Sequence, residues 1–280
     1  MDLGEFRRSS HAVWDAMARG WDERRADIEQ MARPVTDVML ERLSPTTGET
    51  ILDLAAGTGV MGLAAAKHVG VDGRVIVSDF SEAMVETARR HAGELGLDNV
   101  ECRVLDAEQL DLPDGIADGV VCRWGYMLMA DPATALRESR RVLRNGGRLA
   151  CSVFAGPSDN PWAALPMQVL VEHGRVPPPE PGAPGILALG DRERLRNLVT
   201  DAGFADPRIE DVPFSMPFSD ADDYWGFLSD VAGAIAVVLD QLEDQPREAV
   251  RGEIETRLEP FRSAGGIELP ALAVVASVRA

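Results

Sequence analysis

Ile51-Leu52-Asp53-Leu54-Ala55-Ala56-Gly57-Thr58-Gly59-Val60-Met61-Gly62 decides how the rest of this 280-residue chain is read. An apolar run ends in an acid and passes into a glycine-rich turn, the pattern of a buried strand handing a ligand to a helix. Glycines at 57, 59 and 62 permit positive backbone dihedrals and a close approach of main chain to a ligand, and the helix that follows offers unpaired N–H groups. The spacing matches G-x-G-x-x-G, a nucleotide-cofactor turn whose first reading is dinucleotide binding.

Outward from that stretch, strand alternates with helix from Glu49 to Phe154, the signature of a doubly wound parallel sheet. Arg74 to Ser78 forms a second strand ending at Asp79. Asn99 to Leu105 forms a third ending at Asp106, and Gly119 to Cys122 a fourth ending at Arg123 and Trp124. Ser81 caps the helix after the second strand, with Glu82 in its first turn. Asp131 and Pro132 open a later helix, which Asn145-Gly146-Gly147 closes before a strand from Arg148 to Phe154. Four strands thus end in polar residues, and parallel pairing brings those ends to one edge, where open α/β sheets bind ligands. Asp79 is placed to accept hydrogen bonds from a ribose diol. Phe80 and Met84 are placed to sandwich an adenine, and Asp106-Ala107-Glu108 to present a carboxylate and an N–H to its edge.

Asp53 argues against a dinucleotide, because a carboxylate there would repel a pyrophosphate. S-adenosylmethionine has no phosphate and carries an ammonium and a sulfonium, which favour a nearby acid. At these residues a resemblance emerges. D-L-A-A-G-T-G from Asp53 looks like the first motif of the class I S-adenosylmethionine-dependent methyltransferases. S-D-F-S-E-A-M from Ser78, D-A-E-Q-L-D-L-P from Asp106 and R-V-L-R-N-G-G-R-L from Arg141 look like its later motifs. Over roughly residues 49–154 the chain is most similar to the ubiquinone/menaquinone-biosynthesis type. The usual pattern has glycine at 55 and proline at 145. Ala55 leaves the assignment intact on the condition that it keeps a negative φ, and Asn145 changes only a turn.

The resemblance implies an α/β fold: a doubly wound, mostly parallel seven-stranded sheet of the Rossmann-like methyltransferase kind, with N-terminal helices and helical insertions as a lid. It implies S-adenosylmethionine as cofactor, S-adenosylhomocysteine as product and no metal. The cofactor contacts would be Asp53, Ala55, Gly57, Thr58, Gly59, Asp79, Phe80, Met84, Asp106, Ala107, Glu108 and Arg123. Arg123 would align the methionine part, mainly through its backbone, or pair with a local acid.

Composition narrows the partners. A formal charge of −18 opposes approach to nucleic acid or an anionic membrane. No signal-like leader or bilayer-length apolar run is visible, so a cytoplasmic location is expected. Cys102, Cys122 and Cys151 are odd in number, lack metal-ligand spacing and sit in strand-like runs, which fits buried, reduced thiols. The expected partners are a small-molecule methyl acceptor and, as an option, a second copy of the chain in a homodimer.

Three segments are expected: an N-terminal helical lid over 1–48, the cofactor core over 49–154, and residues 155–280 carrying a connector, the last strands and a helical insertion at about 219–262. In the first, Pro34 must kink or start a helix, and Trp14 and Trp21 share a face if Gly20 does not end theirs. Pro177 to Gly185 forms a stiff connector, Asp191 to Ala202 a helix and Pro207 to Phe218 a strand. Ala271 to Val278 would return as the antiparallel edge strand of a closing hairpin. Acceptor contacts are assigned to Trp14, Trp21, Trp124, Tyr126 and Trp225. Methyl transfer is an in-line displacement that needs alignment and a dry pocket more than a catalytic side chain. If a base is used, His11 and His173 are the candidates on the lid segments. A nicotinamide oxidoreductase would share the glycine turn but leave Asp53 unexplained. A cofactor-binding regulator would share every feature without turnover.

Overall fold

The structure is a computed structural model and describes residues 3–280. The chain opens with α1 (Leu3–Glu23) and α2 (Arg25–Leu43). It then alternates β1 (Thr50–Leu54), α3 (Val60–Val69), β2 (Arg74–Asp79), α4 (Glu82–Glu94), β3 (Val100–Val104), β4 (Ala117–Arg123), α5 (Pro132–Val142) and β5 (Leu143–Phe154). The C-terminal part holds α6 (Pro161–Glu172), α7 (Arg192–Asp201), β6 (Ala205–Phe218), α8 (Ala221–Val231), α9 (Ala234–Asp240), α10 (Asp244–Leu258), β7 (Arg262–Ser263) and β8 (Gly266–Arg279).

The strands form one sheet in the order β3-β2-β1-β4-β5-β8-β6, with β7 as a two-residue appendage on β8. Neighbours from β3 through β5 pair in parallel, and β8 runs antiparallel to both β5 and β6. The sheet is thus the expected mostly parallel one, seven strands along its path plus the appendage. One expectation is corrected: β8 is an interior strand and β6 is the edge. Val274, Val275 and Ala276 are fully or almost fully buried, as an interior strand requires. The facing stretch of β6 exposes Ala205, Asp206, Arg208 and Asp211, a polar row suited to an edge.

Local sequence sets several helix starts. The Ser81 hydroxyl accepts the Met84 N–H, and Asp131 accepts that of Thr134 with Pro132 at the first helical position. In α4, Met84, Val85, Ala88, His91 and Ala92 recur at helical spacing and are the buried face. Gly20 lies inside α1, so Trp14 and Trp21 do share a face and meet edge to face at 6.1 Å. Pro34 is accommodated within α2. The helix before β5 ends at Val142, three residues before the Asn145-Gly146-Gly147 turn. That turn lies inside β5 and is tied to the C-terminus by Gly146 N–H to Ala280 O at 3.0 Å.

Both faces of the sheet are covered. Val35, Met39 and Leu43 of α2 join Met61 and Val69 of α3 beneath Ile51, Val75 and Val121. On the other face Leu52, Leu54, Ile76 and Val120 pack with α5 and α6 residues such as Leu136 and Leu170. Each such side chain contributes roughly 1.5–3 kcal/mol by leaving water, which makes the sheet edge a firm platform. No helix among the described residues is long and apolar enough to cross a membrane.

Candidate active site

The C-terminal ends of β1, β2, β4 and β5 open into one cavity of about 190 Å³. One end carries the acids, lined by Asp53, Gly57, Asp79, Phe80, Met84, Asp106, Ala107 and Glu108. The other is apolar, with Trp124, Phe154, Trp162, Phe214 and Phe227 among its walls. Helices α1 and α2 close the third side through Trp14, Trp21, Ile28 and Met31.

The loop after β1 is shaped by its backbone. Gly57 and Gly59 have φ of +55° and +90°, and Ala55 joins them at +50°. Ala55 therefore fails the negative-φ condition. The alanine stands in the left-handed region usually left to glycine, at a cost of about 1–2 kcal/mol, and still lines the cavity. At Gly62 a Cβ would come within 2.8 Å of Asp53 Oδ2, so its absence lets α3 press against β1. That approach brings the Gly62 N–H to Asp53 Oδ2 at 2.6 Å. Thr58 and Gly59, expected as cofactor contacts, are not among the residues that line the cavity. Thr58 presents its carbonyl to His91 Nδ1 at 3.1 Å, and Gly59 caps α3.

Asp53 is fully buried, and its Oδ1 has no hydrogen-bond partner among the described residues. Burial pushes its carboxyl up to about 7, although the Gly62 N–H and the charge of Arg123 oppose the rise. Asp79 is also pushed up by burial, and its oxygens accept the N–H groups of Gly57 at 2.9 Å and Ser81 at 3.0 Å. Glu108 is committed elsewhere: one oxygen pairs with Arg7 of α1, the other accepts the Ala130 N–H at 2.9 Å. Exposed Asp106 and the main chain at Ala107 are left at that corner. Arg123 donates to Thr36 Oγ1 of α2 at 2.8 Å and lies over the Trp124 ring at 5.1 Å. Burial lowers its pKa to about 10.

Polar contacts fasten α1 across the edge. Asp15 accepts the Ser81 hydroxyl at 2.8 Å and the Ala83 N–H at 3.2 Å, and Asp22 meets His91 Nε2 at 2.8 Å. Trp21 Nε1 donates to Val231 O at 3.2 Å, which ties α1 to α8.

Of the aromatic residues assigned to the acceptor, Trp14, Trp21 and Trp124 line the cavity and two do not. Tyr126 is completely buried, with its hydroxyl 2.6 Å from Ser139 Oγ of α5, and serves packing. Trp225 lies on the face of α8 turned away from the cavity, covered by the guanidinium groups of Arg247 and Arg251 at 5.9 and 5.7 Å. Phe227 and Val231 of the same helix take the inner positions. His11 is exposed and edge-on to Phe80, His173 caps the end of α6, and neither is among the lining residues. Phe154 and Trp162 escaped the sequence reading. Phe154 had a legible signal, since it ends the fifth strand at the same edge, whereas Trp162 comes from a helix whose orientation no local pattern sets.

Comparison with known proteins agrees with this architecture. The YcgJ protein of Bacillus subtilis superposes with a TM-score of 0.59 at 20% identity, over 87% of this chain and 97% of its own. Geranyl diphosphate C-methyltransferase of Streptomyces coelicolor A3(2) superposes with a TM-score of 0.52 at 17% identity, over 88% and 78%. Both likenesses concern the fold. In sequence, a 37.1 kDa protein of transposon TN4556 from Streptomyces fradiae is 37% identical over 195 residues, 68% of this chain and 52% of the relative. The ubiquinone/menaquinone biosynthesis C-methyltransferase UbiE of Cronobacter sakazakii is 32% identical over 167 residues, 56% of this chain and 66% of the relative. The matches thus span between about half and just under two thirds of those relatives. With residues 9–176 matching its pattern, the chain belongs to the ubiE/COQ5 methyltransferase family.

Proposed function

We propose that this protein transfers a methyl group from S-adenosylmethionine to a small, largely apolar or aromatic acceptor by in-line displacement. The observation that carries the reading is the cavity itself, continuous from an acid-lined nucleotide end to an aromatic end. Family membership and the C-methyltransferase named among the relatives support it.

The residues present fit that cofactor. Asp53 keeps one buried carboxylate oxygen unpaired on a wall of the cavity, which suits an ammonium and would be costly beside a phosphate. Asp79 would take the ribose diol, Phe80 and Met84 the faces of the adenine, and Asp106 with the Ala107 backbone its edge. Gly57 and Ala55 would let the main chain approach the methionine part, while Thr58 and Gly59 fix the turn through His91 and the start of α3. When bound, the cofactor supplies an electrophilic methyl on a sulfonium.

The chain's own contribution is alignment and exclusion of water. Trp14 and Trp21 of α1 and Phe227 of α8 would cover the reaction zone, and the Trp124, Phe154 and Trp162 walls would hold the acceptor by its apolar body. Neither His11 nor His173 is among the lining residues, so neither is placed to act as a base on the acceptor. The test is calorimetric titration with S-adenosylhomocysteine and with NADH, followed by detection of S-adenosylhomocysteine formed from S-adenosylmethionine over a panel of acceptors. Binding with turnover is expected. NADH binding without S-adenosylhomocysteine binding would overturn the reading, and binding without turnover on any acceptor would make the protein a cofactor-binding regulator.

A further inference from the structure

Among the described residues, three cavity-lining side chains carry more hydrogen-bond donors than they have acceptors. Arg123, at the end of β4, is partly buried, yet among the described residues its guanidinium makes a single hydrogen bond, to the neutral hydroxyl of Thr36. Asp53 and Glu29 act on it only through space. Its other neighbour is the face of Trp124. A guanidinium carries five N–H groups in a planar fork, and with one of them on Thr36 the others remain available to an anion that reaches the cavity.

A second observation points the same way. The indole N–H groups of Trp124 and Trp162 are buried without a partner among the described residues, and both residues line the cavity. Indole is a donor only. The surrounding Phe154, Phe214, Met216 and Phe227 side chains offer no oxygen to receive these donors. Trp124 is moreover held at φ +62°, a left-handed conformation that strains a bulky residue. There it stacks on Phe154 at 4.6 Å while carrying Arg123 on its ring. Strain of that kind at a cavity wall is consistent with preorganisation for a ligand.

We propose that Arg123, with the indole N–H groups of Trp124 and Trp162, forms an anion seat that selects acceptors bearing a carboxylate on an otherwise apolar, aromatic-sized body. The inference rests on the methyl-transfer reading and deepens it by naming the substrate class. The planar fork matches a carboxylate in two-point contact, and the aromatic walls take the hydrocarbon part. The cofactor's own α-carboxylate has the same chemistry, so the experiment must tell the two sources apart.

Calorimetric titrations with naphthoate and with its neutral isostere naphthamide, in saturating S-adenosylhomocysteine, decide the point. Naphthoate is expected to bind about tenfold or more tightly than the amide, the scale of one charge-assisted hydrogen bond. Arg123→Gln should erase that preference, and Trp124→Phe, which keeps the ring and removes the N–H, should reduce it. Equal binding of acid and amide, or binding of neither, by the unmodified protein overturns the seat without reference to any variant. S-adenosylhomocysteine and methylthioadenosine, which lacks the amino-acid part, supply the second arm. If Arg123→Gln weakens the first, spares the second and leaves the naphthoate preference intact, the guanidinium serves the cofactor and the proposal fails. If the unmodified protein does not bind S-adenosylhomocysteine at all, the methyl-transfer reading fails, and the acid-to-amide ratio measured without it still judges the seat.

Discussion

The carboxylate of Asp79 accepts the backbone N–H of Gly57 at 2.9 Å, so the acid ending β2 and the first glycine of the turn after β1 form one unit. The group assigned to the ribose also holds the loop that would receive the methionine part. Its other oxygen takes the Ser81 N–H at the cap of α4, where Asp15 of α1 is anchored as well. The loop after β1, the cap of α4 and the N-terminal helix are thereby coupled through a few hydrogen bonds.

Asp79→Ala is expected to weaken S-adenosylhomocysteine binding by about 2–3 kcal/mol, since both the ribose contact and the Gly57 tether are lost. The sheet does not depend on either, so far-ultraviolet circular dichroism should be unchanged. An unaltered dissociation constant by calorimetry would remove Asp79 from the site.

Asp53 should impose opposite pH trends on binding and on stability. Its carboxyl titrates near 7 in the folded protein because it is buried, against about 4 in the unfolded chain. Cofactor binding should therefore tighten as pH rises through 7 and the carboxylate forms to meet the ammonium. In the unliganded protein the folded state binds more protons between those values. This group's contribution is then most favourable below about pH 4, falls as pH rises to 7 by up to about 4 kcal/mol, and is flat above. Asp53→Asn should lose that component of the slope, gain stability at pH 8 and bind cofactor poorly. Denaturant midpoints across the pH range, set beside calorimetry, check both signs.

Ala55→Gly should stabilise the protein by about 1 kcal/mol net, because relief of the left-handed strain at φ +50° exceeds the added freedom of glycine in the unfolded chain. A rise in Tm of about 2–4 °C is expected. A fall would mean that the Ala55 methyl, 2.7 Å from where a Cβ on Gly125 would sit, contributes more by packing than it costs in strain.

Asp15→Ala frees both the Ser81 hydroxyl and the Ala83 N–H from α1. Amide exchange in α1 should quicken, and S-adenosylhomocysteine should dissociate faster with little change in its association rate. Stopped-flow fluorescence from Trp14 and Trp21 can follow both rates. If α1 exchanges alike with and without cofactor in the unmodified protein, it is packing and not a cover.

Trp162→Ala should raise KM for the acceptor strongly, whereas Trp225→Ala, outside the cavity beneath Arg247 and Arg251, should leave KM and kcat near their original values and act on stability alone. Steady-state kinetics on one accepted substrate separates the two tryptophans, and equal effects on KM would place Trp225 back at the site.

What the sequence determined by itself is local or periodic. The caps at Ser81 and Asp131 act within one helical turn, the glycine loop follows a buried strand, and alternating apolar runs leave little choice but a parallel sheet with its polar strand ends on one edge. Only the tertiary structure decided which way α8 is rotated, and with it that Phe227 rather than Trp225 faces the cavity. It also decided that β8 enters between β5 and β6, because that choice depends on which strand has two apolar faces to bury once all are assembled. The left-handed Ala55 and Trp124 belong to the same class. Nothing in either residue favours positive φ, and Trp124 stacks there between Phe154 and Phe214, which come from strands distant in the chain.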